Sequence, residues 1–157
     1  MGEQQSQPYQ LAQLNVGRLR APADAPEIAE FMAALPAVNA LADAAPGFVW
    51  RLVADYAENA TAIQAFDDKL IIINMSVWES LESLRDYVFA TDHVSYLRRR
   101  REWFERMDEA YAVLWWVPAG YRPGIDDAVA KLRLLRAQGP GAEAFTFREP
   151  LPPPGAA

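Results

Sequence analysis

The 157 residues, 52% hydrophobic and 23% charged, supply enough apolar material for one domain with a core, and the composition is neither disordered nor fibrous. The absence of Cys excludes disulfides, thiolate nucleophiles and Cys-held metal centres, and a single His, His93, excludes any site that needs two imidazoles. A net charge of -6 argues against a protein whose main task is neutralising nucleic-acid phosphates.

Residues 1–8 read as a flexible polar leader. They lack the basic residues and apolar block of a secretory signal, and no apolar run nearby approaches a membrane span, so a cytoplasmic location without membrane contact is the expectation. Gly2 and Ser6 fit a myristoylation pattern, but Arg outnumbers Lys 13 to 2 in an Ala-rich chain, a bias that reads as bacterial, where this lipidation is not expected. Tyr9 to Arg18 alternates as a strand. Pro26 opens a helix carrying Ile28, Phe31, Met32 and Leu35, which Pro36 is expected to break before a second short piece ending near Ala44. Pro46-Gly47 turns the chain into a strand over 48–55, and 70–78 reads as the strand that pairs with it.

Ser80 is a cap for a helix over 80–90, and a further helix is predicted from Asp92 to about Met107. Residues 111–117 form an aromatic-rich strand ended by Pro118. Ile125, Val129, Leu132 and Leu135 mark a last amphipathic helix stopped at Gly139, and 144–147 reads as a short edge strand. The folded domain is therefore expected over 9–148, followed by a Pro-rich extended or disordered tail over 149–157. Strands and helices in this order point to an α+β, ferredoxin-like antiparallel sheet with helices on one face.

Side-chain alternation then separates two chemistries. Ile71, Ile73, Met75 and Val77 make one apolar side of the third strand, whereas Ile72, Asn74, Ser76 and Trp78 share the other, and Gln13 and Asn15 lie on the comparably mixed side of the first. Amides, a hydroxyl and large aromatics on one face have the composition of a small-molecule pocket, apolar with a few orienting polar groups. Trp115 and Trp116 must face opposite sides, and Trp115 is the lining candidate.

Three stretches, Pro46 to Leu52, His93 to Phe104 and Leu114 to Gly120, resemble a bacterial family catalogued as a domain of unknown function within the dimeric α/β barrel superfamily. That superfamily includes antibiotic-biosynthesis monooxygenases and heme-degrading enzymes. The resemblance runs from Tyr9 to about Pro150 and implies a homodimer in which each subunit keeps a pocket between sheet and helices. It implies a small-molecule enzyme needing no cofactor, carrying out oxygenation or cyclisation and isomerisation of a hydrophobic polyketide- or terpenoid-like metabolite. A ligand-binding dimer without turnover is the alternative. A heme protein is a further one, since Asn15 and His93 occupy positions of the kind used by heme-degrading members, although Tyr87 stands where those carry Trp.

His93 is the candidate base, being the one side chain with an unperturbed pKa near neutrality; the plain alternative is a helix-start His bonded to backbone. At most one or two guanidiniums of the run 98–101 can point the same way, and which of them meets negative charge stays open; Arg100 is the candidate, with Arg51 as a second fork-shaped donor, and Tyr87 joins them as a catalytic candidate. Asn15, Gln13, Asn74 and Ser76, with Trp50, Trp78, Tyr96 and Trp115, are the candidate binding residues. No metal-ligand spacing, phosphate loop or nucleophile elbow occurs, and the acidic residues interleaved with the arginines argue against nucleic acid. Asp126-Asp127 is read as a helix start, where negative charge is favoured.

Overall fold

The computed structural model describes residues 8–53, 66–90 and 98–155. In chain order it contains β1 (Tyr9–Arg18), a single 3-10 turn (Pro26–Ile28), α1 (Ala29–Ala44), β2 (Phe48–Arg51), β3 (Ile71–Trp78), α2 (Leu81–Val88), α3 (Arg100–Trp103), β4 (Ala112–Pro118) and α4 (Ile125–Gln138). The four strands form one antiparallel sheet in the order β2-β3-β1-β4, with α1 between the first two strands and α2 after the third. This is the ferredoxin-like arrangement that the sequence order predicts.

Period-two alternation controls what each face does. Ala12, Leu14, Val16, Ile73, Met75, Val77, Val113, Trp115 and Val117 form one buried layer, on which α4 lays Ala128, Leu132 and Leu135. Asp127 holds the start of α4: its carboxylate accepts from the Gly124 N–H at 3.2 Å and from the Tyr121 hydroxyl at 2.9 Å. The opposite face carries α1 and α2, the two helices of the ferredoxin-like unit. Ala42 of α1 and Leu84 of α2 pack there on Leu11, Trp78 and Leu114. Helices α1 and α2 thus share one side as expected, while the additional C-terminal helix covers the other.

Local departures have identifiable causes. Helix α1 runs through Pro36 instead of breaking there. Pro36 is exposed, and the surrounding Ala and Leu residues favour helix. The predicted helix to Met107 stops at Trp103, because Phe104 becomes extended and bridges Leu19, with the Glu105 N–H donating to the Arg18 carbonyl at 2.8 Å. Ser80 caps α2 as expected, accepting from the Ser83 N–H at 3.1 Å. The edge strand foreseen at 144–147 is reduced to two isolated bridges, Phe145 with Leu114 and Ala144 with Gly141. Beyond it the Pro-rich segment is extended and packed: Leu151 lies on the α1/α2 side, and its carbonyl accepts from the Trp116 indole at 2.9 Å.

Candidate functional site

The α1/α2 face differs from the α4 face in its middle. Gln13 stands directly opposite Ser76, and Asn15 opposite Asn74, so antiparallel pairing gathers four polar side chains on one patch. Gln13 and Ser76 are buried at 7% and 6% exposure; Asn15 is half-buried and Asn74 exposed. The Gln13 amide N–H groups donate to Asn74 Oδ1 at 2.7 Å and to Ser76 Oγ at 2.8 Å. The Asn15 amide donates to Gln13 Oε1 at 3.0 Å and Asn74 Oδ1 at 3.3 Å. Ser76 Oγ also accepts from the Trp78 indole at 2.8 Å, which occupies both of its lone pairs. Among the described residues three functions are left without a partner: the Ser76 hydroxyl proton, the Asn74 amide N–H groups and Asn15 Oδ1. The patch therefore presents donors and an acceptor together.

Apolar groups bound it at both ends. On one side the Trp78 and Tyr87 rings stack with centroids 5.1 Å apart, and Phe48 meets Trp78 edge-on at 5.4 Å. At the other, Leu19, Ile72, Trp103 and Phe104 form a separate cluster, joined by Phe31 of α1 with centroids 5.4 Å from Trp103 and 5.1 Å from Phe104. Gly17 is what admits this cluster to the strand: a Cβ there would lie 2.5 Å from the Phe104 ring and 3.2 Å from Arg100 Nη2.

Arg100 is set apart from its neighbours by its partners. Its guanidinium stacks 4.7 Å over Phe104 and 4.8 Å over Tyr111, and Nη2 donates to the Val16 carbonyl at 3.3 Å. No carboxylate meets it among the described residues, and burial pushes its pKa down, with Tyr111 opposing that shift. Arg18 is paired with Asp68 and Glu105, Arg99 with Glu30 and Glu102, and Arg51 with Asp43 at 2.7 Å. The desolvated guanidinium beside Gly17 is thus equipped to meet a planar anion.

Tyr87 donates its hydroxyl to the Val38 carbonyl of α1 at 3.2 Å. Burial and then Asp43 raise its pKa, Arg51 opposes them, and the phenol is pushed up to about 12. At neutral pH it is a hydrogen-bond donor and not a base.

Of the residues singled out from sequence, Gln13, Asn15, Arg51, Asn74, Ser76, Trp78, Tyr87 and Arg100 lie on this side. Two do not. Trp115 is packed beneath α4, so Trp116 is the indole turned towards Leu11 and Trp78. Trp50 opposes Val77 and packs on the α4 side, because a bulge between Phe48 and Trp50 shifts the register and turns Arg51 to the Ser76 side instead. His93 and Tyr96 lie outside the described residues. Sequence reasoning missed Phe104, whose extended conformation brings it over Gly17, and Asn39 of α1, which is buried; a lone amide one turn before Ala42 on the helix stripe was its only signal.

The described residues contain no group of three or more His, Cys, Asp or Glu able to hold a metal ion. Of the positions of the heme pattern, Asn15 has its amide tied to Gln13 and Asn74, Tyr87, in place of Trp, stacks on Trp78, and His93 lies outside the described residues. No helix among them is long and apolar enough to cross a membrane.

Three of the solved structures similar to the chain illustrate the likeness. SnoaB, a cofactor-independent oxygenase from Streptomyces nogalater, is 14% identical over 72% of this chain and 95% of its own, with a TM-score of 0.46. Rv0793 from Mycobacterium tuberculosis is 12% identical over 73% and 99%, with a TM-score of 0.49. A monooxygenase from the gene ActVA-Orf6 of Streptomyces coelicolor, in complex with Nanaomycin D, is 15% identical over 74% and 95%, with a TM-score of 0.44. No curated protein matches the chain. Residues 10–157 match the model of the family described as domain of unknown function DUF3291, and the chain belongs to that family.

Proposed function

We propose that the α1/α2 face of the sheet binds a hydrophobic, oxygen-bearing small molecule and that the protein is an enzyme of the antibiotic-biosynthesis-monooxygenase type. It acts without a bound cofactor, by oxygenation or by cyclisation and isomerisation of a polyketide- or terpenoid-like metabolite. One observation carries this reading: an amide and hydroxyl network, buried at Gln13 and Ser76 and open at Asn15 and Asn74, lies between two aromatic clusters with donors and an acceptor free of partners among the described residues, next to an arginine that meets no carboxylate among them. A ligand oxygen that displaces water from such a patch meets directed donors and an acceptor beside apolar rings.

The chemistry follows from these groups. A substrate with an acidic C–H loses its proton to a base, for which His93 is the candidate, and the resulting enolate or phenolate is stabilised by Arg100. Ser76 and Asn74 donate to a carbonyl and Asn15 accepts from a hydroxyl. Tyr87, held protonated, supports the Trp78 ring and does not take the proton. In the oxygenation the anion reacts with dioxygen, so that a CH2 group and O2 become a carbonyl group and water.

Binding without turnover is favoured by one specific observation: Tyr87, pushed up to about 12, holds its proton at neutral pH and offers a donor rather than a base. A homodimer belongs to the proposal as well, built on a surface other than the sheet face that α4 fills.

Anthrone, an apolar three-ring molecule with an acidic CH2, provides the test. The expected result is oxygen uptake equal to the anthraquinone formed, abolished by His93→Ala with binding retained, and slowed by Arg100→Met. Binding with no oxygen uptake would select the non-catalytic reading, and no binding of anthrone or of other oxygenated ring systems would overturn both.

A further inference from the structure

The binding patch described above is built from the sheet alone, yet a helix lies across it. Helix α1 reaches both apolar ends of the mixed face: Phe31, near its start, packs on Trp103 and Phe104, and Ala42, near its end, packs with Leu11 and Trp78. The middle of α1 therefore passes over the level of Gln13, Asn15, Asn74 and Ser76, which lie between those ends on β1 and β3. The helical residue buried in that stretch is Asn39, one turn before Ala42, at 9% exposure. Its amide makes no hydrogen bond among the described residues. No side-chain nitrogen or oxygen there is both sealed from solvent and unpaired, so the Asn39 amide opens onto accessible space while the rest of the side chain is enclosed. An amide with no partner among the described residues adds nothing to the helix, which would be served better at this position by Ala or Leu.

We infer that Asn39 is the helix-side wall of the ligand site, and that with Ser76, Asn74 and Asn15 it forms a polar belt across the middle of an otherwise aromatic crevice. The inference rests on the small-molecule reading above and adds the ligand's pattern. The molecule is flat and apolar at both ends, where Trp78 with Tyr87 and Phe104 with Trp103 receive it, and carries its carbonyl and its hydrogen-bond donor at mid-length. Asn39 is a binding and positioning residue in this scheme: it selects where along the molecule the oxygen function lies.

Acridone and anthracene separate this from its parent reading. They share a three-ring outline, but acridone carries a carbonyl and an N–H on its central ring, and both are followed by energy transfer from the tryptophans. The wild-type chain is expected to bind acridone at least about tenfold more tightly than anthracene, the effect of roughly one net hydrogen bond. Asn39→Leu should remove most of that preference while leaving anthracene affinity and the melting temperature near wild type, so retained anthracene binding also certifies the fold. N-methylacridone, tested on the unmodified chain, should lose affinity without any mutation. Equal binding of acridone and anthracene by the wild type, or an unchanged preference in Asn39→Leu, would overturn the role of Asn39 and leave the small-molecule reading standing. Failure of the wild type to bind any of the three would overturn both.

Discussion

The two faces of the sheet are made from the same strands, with alternate residues sent each way, and they have opposite characters. Beneath α4 the buried layer is continuous and wholly apolar, running from Ala12 to Val117 without a polar side chain. Beneath α1 and α2 it divides into two aromatic groups separated by amides and a hydroxyl. Close-packed apolar contact supplies most of the favourable free energy of a small domain, so the α4 side carries stability. The other face gives up part of that contact for directional groups. Directional polar chemistry is thus separated from stability by the pleat of a single strand.

The sharpest way to break this division is Leu132→Ala, which empties a fully buried position on α4. It is expected to cost about 2–5 kcal/mol in denaturant unfolding and to leave ligand affinity unchanged under folding conditions; a selective loss of binding would place the site on the wrong side. Ser76→Ala tests the opposite face. It strands the Trp78 indole and a Gln13 N–H, so a destabilisation of about 1–3 kcal/mol is expected, accompanied by weakened binding of carbonyl compounds. The smallest effect belongs to Tyr87→Phe, with about 1 kcal/mol lost at neutral pH through the bond to Val38. Because the folded-state pKa of Tyr87 is raised to about 12 from 10, its contribution is complete below pH 10 and is lost as pH climbs through 12. The phenylalanine variant should therefore show a flatter fall in stability over that alkaline window, measured by urea unfolding at stepped pH.

Most of this contrast is legible in the sequence, because period-two alternation is a local property. Asn74 and Ser76 are separated from Ile73 and Met75 by nothing more than parity, and β1 repeats the pattern with Gln13 and Asn15. What local pattern cannot supply is long-range partnering. The end of α3 was misjudged because Phe104 pairs with Leu19, 85 positions away, and the continuity of α1 through Pro36 depends on which side of the helix faces water. Arg100 was separable from Arg98, Arg99 and Arg101 only once Glu30 and Glu102 had been matched to Arg99 and two rings to Arg100. The sorting of the tryptophans failed for a similar reason: Trp115 required the β1–β4 register and Trp50 required the bulge.

That irregularity in β2 has a consequence for how such a binding surface changes. With Val49 as the extra residue, Phe48 and Arg51 share a side although three positions separate them. Removing Val49 alone would give strict two-residue alternation with Trp50 still opposite Val77 and Arg51 still opposite Ser76. The extra residue therefore absorbs a change of length at the sheet edge, and this short segment can lose one codon while the guanidinium keeps its side.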